Sequence, residues 1–132
     1  MTYNILLVEG NRDDRFLTKL ALKETKINAT IIETRNGETA LNLIHKLKNE
    51  NSLPDLIIMD INLPAINGLE LLNQIKSNRI NIPVVILTSS DSEDDKRFGI
   101  ENGAKLFFKK PNNISDLKKI ILETIKQIPL KA

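Results

Sequence analysis

Leu56-Ile57-Ile58-Met59-Asp60-Ile61-Asn62-Leu63-Pro64 is the stretch whose reading settles the fold. Its first four residues are wholly apolar and stop at a polar turn. A run of that kind reads as a strand buried on both faces, the mark of a parallel sheet. Chemistry in open parallel sheets collects at the carboxyl ends of the strands. Asp60 stands at such an end, which makes it a better nucleophile candidate than an average aspartate. Three further apolar runs end in the same way: Ile5-Leu6-Leu7-Val8 in Glu9, Val84-Val85-Ile86-Leu87 in Thr88, and Leu106-Phe107-Phe108 in Lys109-Lys110. An acid, a nucleophilic acid, a hydroxyl and an amine are thereby predicted to meet at one rim.

Outward from these runs, strand-like segments alternate with segments of helical period, as repeated βα units require. The strands are expected at about residues 4–9, 30–34, 55–60, 84–88 and 106–109. The first helix opens at Asn11, an N-cap, with Asp14 in the capping-box position and Phe16, Leu17, Leu20 and Ala21 at helical spacing. Asn36-Gly37 reads as a turn before a second helix with Leu41, Ile44 and Leu47 on one face. Leu69, Leu72 and Ile75 mark a third helix after the 62–68 loop. Ser90 and Glu93 form the expected capping box of a fourth, which Gly103 ends. Beyond Pro111, Leu117, Ile120, Ile121, Ile125 and Ile128 give the last amphipathic helix. Because βαβ crossovers are right-handed, the natural closure is a flavodoxin-like, doubly wound α/β fold. Its five-stranded parallel sheet would run in the order 2-1-3-4-5, with five helices.

The chain's 132 residues fit one domain with a single sizeable core. Hydrophobic residues at 41% and charged residues at 27% are ordinary for a globular protein. The absence of cysteine excludes disulfides and thiolate metal sites and suits a cytoplasmic setting. No basic N-terminal region or long apolar run points to a membrane. A net charge of +2 and few aromatic residues argue against a nucleic-acid partner. The lone histidine, His45, falls in a helical stretch without ligand partners and reads as a surface or boundary residue.

Taken together and in order, ILLVEGNRDDR, LIIMDINLPAINGLELL, IPVVILTSS and GAKLFFKKP resemble bacterial response-regulator receiver domains, the phosphoacceptor half of two-component signalling. The likeness spans almost the whole chain, as a single receiver domain over residues 1–132 without an output domain. It is similar to the stand-alone regulators paired with phytochrome-type kinases. The resemblance implies that Asp60 takes a phosphoryl group from a histidine kinase or phosphotransfer protein. It further implies Mg²⁺ held by Asp60, the backbone carbonyl of Asn62 and, through water, Glu9. Lys110 matches the lysine that pairs with the carboxylate and then with the phosphoryl group. Thr88 matches the hydroxyl that closes on the phosphoryl oxygen, with Ser89 as the small residue beside it. Phe107 matches the aromatic switch that reports to the face formed by the fourth helix, fifth strand and fifth helix. That face would contact a downstream protein target or a second copy of the chain.

One departure stands out. The family has two successive acids after the first strand, whereas this chain has Glu9 and Gly10. Loss of a carboxylate removes a full negative charge, so the resemblance now implies a weakened Mg²⁺ site. Asp13 and Asp14 are read as acids that favour the helix N-terminus, although one of them could reach back towards the site. Two other functions compete with the phosphoacceptor: a pseudo-receiver that switches by protein contact alone, and a phosphohydrolase with an aspartyl nucleophile. The latter is disfavoured because Asn62 stands where those enzymes carry a second aspartate.

Overall fold

The structure is a computed structural model and describes residues 2–128. Strands and helices alternate as β1 (Tyr3–Val8), α1 (Arg12–Glu24), β2 (Ala29–Thr34), α2 (Gly37–Asn49), β3 (Leu56–Met59), α3 (Gly68–Ser77), β4 (Val84–Thr88), α4 (Glu93–Glu101), β5 (Leu106–Lys109) and α5 (Ile114–Gln127). All pairings are parallel, in the order β2-β1-β3-β4-β5. This is the flavodoxin-like, doubly wound arrangement expected from the apolar runs.

Burial explains the order. Every residue of β3 and β4 is buried, whereas the edge strands β2 and β5 carry half-buried and exposed positions. Side chains alternate across a strand, so the sheet has two apolar faces. Leu6, Val8, Ile57, Met59, Val84 and Ile86 pack with Ala40 and Ile44 of α2 and Leu71, Leu72 and Ile75 of α3. On the other face, Ile5, Leu7, Ile58, Val85 and Leu87 pack with Ala21 and Leu22 of α1 and Leu117 and Ile121 of α5. Burying one such aliphatic side chain is worth about 1.5–3 kcal/mol. Neither face could be left to solvent.

Each helix opens on a polar cap. Asn11, Asn36, Asn67, Ser92 and Asn113 each accept the N–H three residues on. Two expectations are corrected here. The fourth helix is capped by Ser92 and not Ser90, because Ser92 and Asp95 form a second, overlapping pair of the same spacing. Ser90 instead donates its hydroxyl to Asp95 Oδ2 at 2.8 Å. Asn36-Gly37 is a helix start and not a turn: the Asn36 side chain caps α2. Gly37 leaves room for the backbone of Ile66, to which an added Cβ would come within 2.2 Å.

The stripe read on the first helix also shifts. Arg15, Thr18, Ala21 and Leu22 are its buried residues, while Phe16 and Leu17 face solvent. A buried arginine is tolerated there because its guanidinium donates to the Glu9 carbonyl at 2.9 Å.

Candidate functional site

The sheet register assembles the rim. Val8 lies opposite Met59, so the residues that follow them, Glu9 and Asp60, leave the sheet side by side. Asp60 N–H donates to the Val8 carbonyl at 3.0 Å, which fixes its exit. Thr88 lies opposite Lys109, and Lys110 N–H donates to the Thr88 carbonyl at 2.7 Å. The strand order reverses between β1 and β3, where open parallel sheets form their crevice.

Lys110 is the hub. Its Nζ lies 2.6 Å from Glu9 Oε1, 2.7 Å from Asp14 Oδ2 and 2.7 Å from Asp60 Oδ2. Asp60 Oδ1 accepts the Asn62 N–H at 3.1 Å, so both oxygens of this carboxylate are held. Glu9 and Asp60 are each only 4% exposed. Burial pushes the Glu9 carboxyl above its ordinary range; Asp60 adds to that, while Lys110 and the Asn11 N–H oppose it. Burial pulls the Lys110 ammonium down, but hydrogen bonds to Asp14, Asp60 and Glu9 outweigh it and the net direction is up. A half-buried lysine among three carboxylates stays charged.

Thr88 is fully buried, and its Oγ1 accepts the Ser90 N–H at 3.3 Å. Ser89 beside it is exposed. Phe107 is half-buried against the α2–α3 face of the core. Its ring lies against Gly99 of α4, where an added Cβ would stand 3.2 Å from it. The structure thus brings Glu9, Asp60, Thr88 and Lys110 to one rim, with Phe107 beneath α4 on the adjoining strand.

Sequence reasoning favoured Asp14 as a capping acid, with a reach of Asp13 or Asp14 back towards the site as the alternative. The structure uses Asp14 in the second way. Asn11 does cap α1, accepting the Asp14 N–H at 3.0 Å, but the reciprocal Asn11 N–H goes to Glu9 Oε2 at 3.1 Å. With that donor taken, the Asp14 carboxylate reaches Lys110. The missing acid at Gly10 was the available signal, because an empty carboxylate position invites a neighbour.

The donors around Asp60 fit a hard divalent cation in kind. Carboxylates and a backbone carbonyl are the oxygen ligands that Mg²⁺ prefers, usually with several waters retained. An added Cβ on Gly10 would sit 3.8 Å from the Asn62 carbonyl oxygen, which places the absent side chain beside that carbonyl. Among the described residues, no set of three or more His, Cys, Asp or Glu side chains is arranged to hold a metal ion. The Lys110 ammonium occupies the space between the carboxylates and acts as their resident cation.

Residues 5–122 match the model of the response regulator receiver domain. The chain belongs to that family. Response regulator Rcp1 of Synechocystis sp. is 38% identical over 121 residues, covering 89% of this chain and 82% of Rcp1. The crystal structure of Rcp1 in its Mn²⁺-bound form superposes with a TM-score of 0.81 at 33% identity, over 98% of this chain and 97% of that one. The phosphorylated cyanobacterial phytochrome response regulator RcpA superposes with a TM-score of 0.87 at 31% identity, over 100% of this chain and 97% of that one. A segment of histidine kinase P4 of Formosa agariphila is 38% identical over 132 residues, covering 96% of this chain and 9% of the kinase. The receiver domain is thus similar to phytochrome-associated response regulators. Among the described residues, no helix is long and apolar enough to cross a membrane.

Proposed function

We propose that this receiver domain accepts a phosphoryl group on Asp60 from a phosphohistidine of a sensor kinase or phosphotransfer protein. The observation that carries the reading is the Asp60 carboxylate, buried at the end of β3 and bonded to Lys110 Nζ at 2.7 Å. An Asp60 oxygen attacks phosphorus as the P–N bond breaks. The electron pair leaves with the imidazole nitrogen, which takes up a proton, and the product is an aspartyl acyl phosphate. Positioning and charge stabilisation suffice for such a transfer. Asp60, the Asn62 carbonyl and a water-bridged Glu9 would hold Mg²⁺, whose charge offsets that of the phosphoryl oxygens. Lys110 keeps its ammonium against the new group, and the Thr88 hydroxyl turns from Ser90 to donate to a phosphoryl oxygen. That turn alters the space beside β5, and Phe107 carries the change to α4.

Two surfaces suit partners. Phe16, 65% exposed, and its neighbour Leu17 lie on α1, whose first turn delivers Asp14 to the site; this is the docking patch assigned to the phosphoryl donor. On α4, Ile100 is 44% exposed and lies one turn beyond Lys96, which lines a hollow with Phe107 and Lys109; this is the face assigned to a downstream protein or a second copy of the chain. The pseudo-receiver alternative draws no specific support from the site, since Asp60, Thr88 and Lys110 stand together at the rim. The domain is read as a stoichiometric acceptor and not as an enzyme turning over a separate substrate.

The test is incubation with acetyl phosphate and Mg²⁺. One base-labile phosphoryl group per wild-type chain is expected, and none on Asp60→Asn. Undiminished labelling of that variant would overturn the reading.

A further inference from the structure

Gly10 removes one carboxylate from the cation pocket, yet three carboxylates still converge on Lys110, from Glu9, Asp14 and Asp60. The third comes from the first turn of α1. Asp14 stands only four residues beyond Gly10 in sequence, and its Oδ2 approaches Lys110 Nζ as closely as Asp60 Oδ2 does. Its side chain is about one-third exposed, with the other two carboxylates buried below it. Asp14 is therefore the most solvent-accessible of the three carboxylates that meet at Lys110.

We propose that Asp14 is the charge-completing residue of the Mg²⁺ pocket and replaces, from helix α1, the carboxylate that Gly10 lacks. This rests on the phosphoacceptor reading above. Electrostatics supply the reason. Three carboxylates against one ammonium leave two negative charges unbalanced, the number a divalent cation neutralises. Without Asp14, only one would remain, and a bound Mg²⁺ would leave the buried pocket with surplus positive charge. The carboxylate also has freedom to serve. Its usual capping duty, bonding the Asn11 N–H, has been taken over by Glu9 Oε2. When a divalent cation enters, Asp14 either keeps Lys110 aside from Asp60 or accepts a water bound to the ion; both uses need its negative charge.

The neighbouring Asp13 separates this role from a general helix effect. It shares the first turn of α1 and is exposed, so it contributes to the helix dipole as Asp14 does. Asn at position 14 keeps the size and an acceptor for Lys110 but loses the charge.

Mg²⁺ binding to the whole chain, measured by isothermal titration calorimetry in the absence of any phosphoryl donor, reads the proposal directly. Asp14→Asn should bind Mg²⁺ roughly tenfold more weakly than wild type, and Asp13→Asn should bind as wild type does. Gly10→Asp should restore affinity in the Asp14→Asn background and gain little in the wild-type background, a non-additive cycle. The added Cβ would approach Pro64 Cδ at 3.3 Å, so the comparison of positions 13 and 14 decides the matter if that variant folds poorly. Equal affinity of Asp14→Asn and wild type, or equal losses at positions 13 and 14, would overturn the role of Asp14 and leave the phosphoacceptor reading standing. No Mg²⁺ binding by wild type would overturn both.

Discussion

Lys110 is the residue on which the site's stability turns. Its ammonium is the cation bonded to Glu9 and Asp60, which are buried. Breaking a buried ion pair from one side leaves a charge without compensation and costs about 3–5 kcal/mol. Lys110→Ala is expected to lose about that much in urea denaturation without divalent ions. Addition of Mg²⁺ should return part of the loss, because a ligand that binds only the folded state stabilises it. A variant as stable as wild type in chelator would contradict this. The pH dependence has a definite sign. Folding raises the Lys110 pKa above its ordinary 10.5. Its contribution is therefore complete below pH 10.5 and is lost as pH rises through the higher folded value. Wild-type stability should fall more steeply in that alkaline window than that of Lys110→Ala. Asp60, Thr88 and Lys110 were all legible in the sequence, each from an apolar run ending in a polar residue. Asp14 was legible only as one of two acids that could reach back, because a capping box and an ion pair use the same residue at the same spacing. Only the tertiary approach of β5 separates them.

Among the elements, α3 and α1 have the clearest consequences. The first residue of α3, Gly68, is seated against the chain just beyond β3: an added Cβ would lie 2.2 Å from the Asp60 carbonyl oxygen and 2.5 Å from Ile61 Cα. Backbone cannot yield as a flexible side chain does, so Gly68→Ala must push α3 or the Asp60 segment away. A loss of about 2 kcal/mol or more is expected in thermal or urea unfolding, with reduced phosphorylation of the surviving folded fraction. Wild-type stability in this variant would mean the helix has room to shift. On α1, Phe16 projects into solvent, and Phe16→Ala should change stability by no more than about 0.5 kcal/mol. Phosphotransfer from a cognate kinase should slow in this variant, while labelling by acetyl phosphate stays unchanged. Equal slowing with both donors would place Phe16 in the chemistry and not in docking. The sequence misled on this helix for a physical reason. Arg15 and Thr18 are polar by type, yet Arg15 is buried by its bond to a backbone carbonyl, which rotates the apolar stripe outward.

At the scale of the molecule, the sheet order was legible because the fully apolar runs of β3 and β4 demanded cover on both faces, and right-handed crossovers left few ways to provide it. Element ends moved by a residue or so: β1 begins at Tyr3, earlier than expected, and β3 stops at Met59, leaving Asp60 just outside the sheet. Asp60 still donates its N–H to the Val8 carbonyl, so its side chain is held where it meets Lys110. The likeness to RcpA and Rcp1 covers nearly the whole chain, so the rim, the sheet and β5 belong to one unit. On the proposed reading, Asp60 is the one acidic nucleophile among several exposed acids. The most direct measurement is therefore the position of the phosphoryl group. The wild-type chain is phosphorylated with Mg²⁺ and a phosphohistidine donor, reduced with borohydride to trap the acyl phosphate, digested and read by tandem mass spectrometry. Reduction confined to Asp60 is the expected result; a reduced residue at Asp13, Asp14 or any other carboxylate, with Asp60 intact, would contradict it.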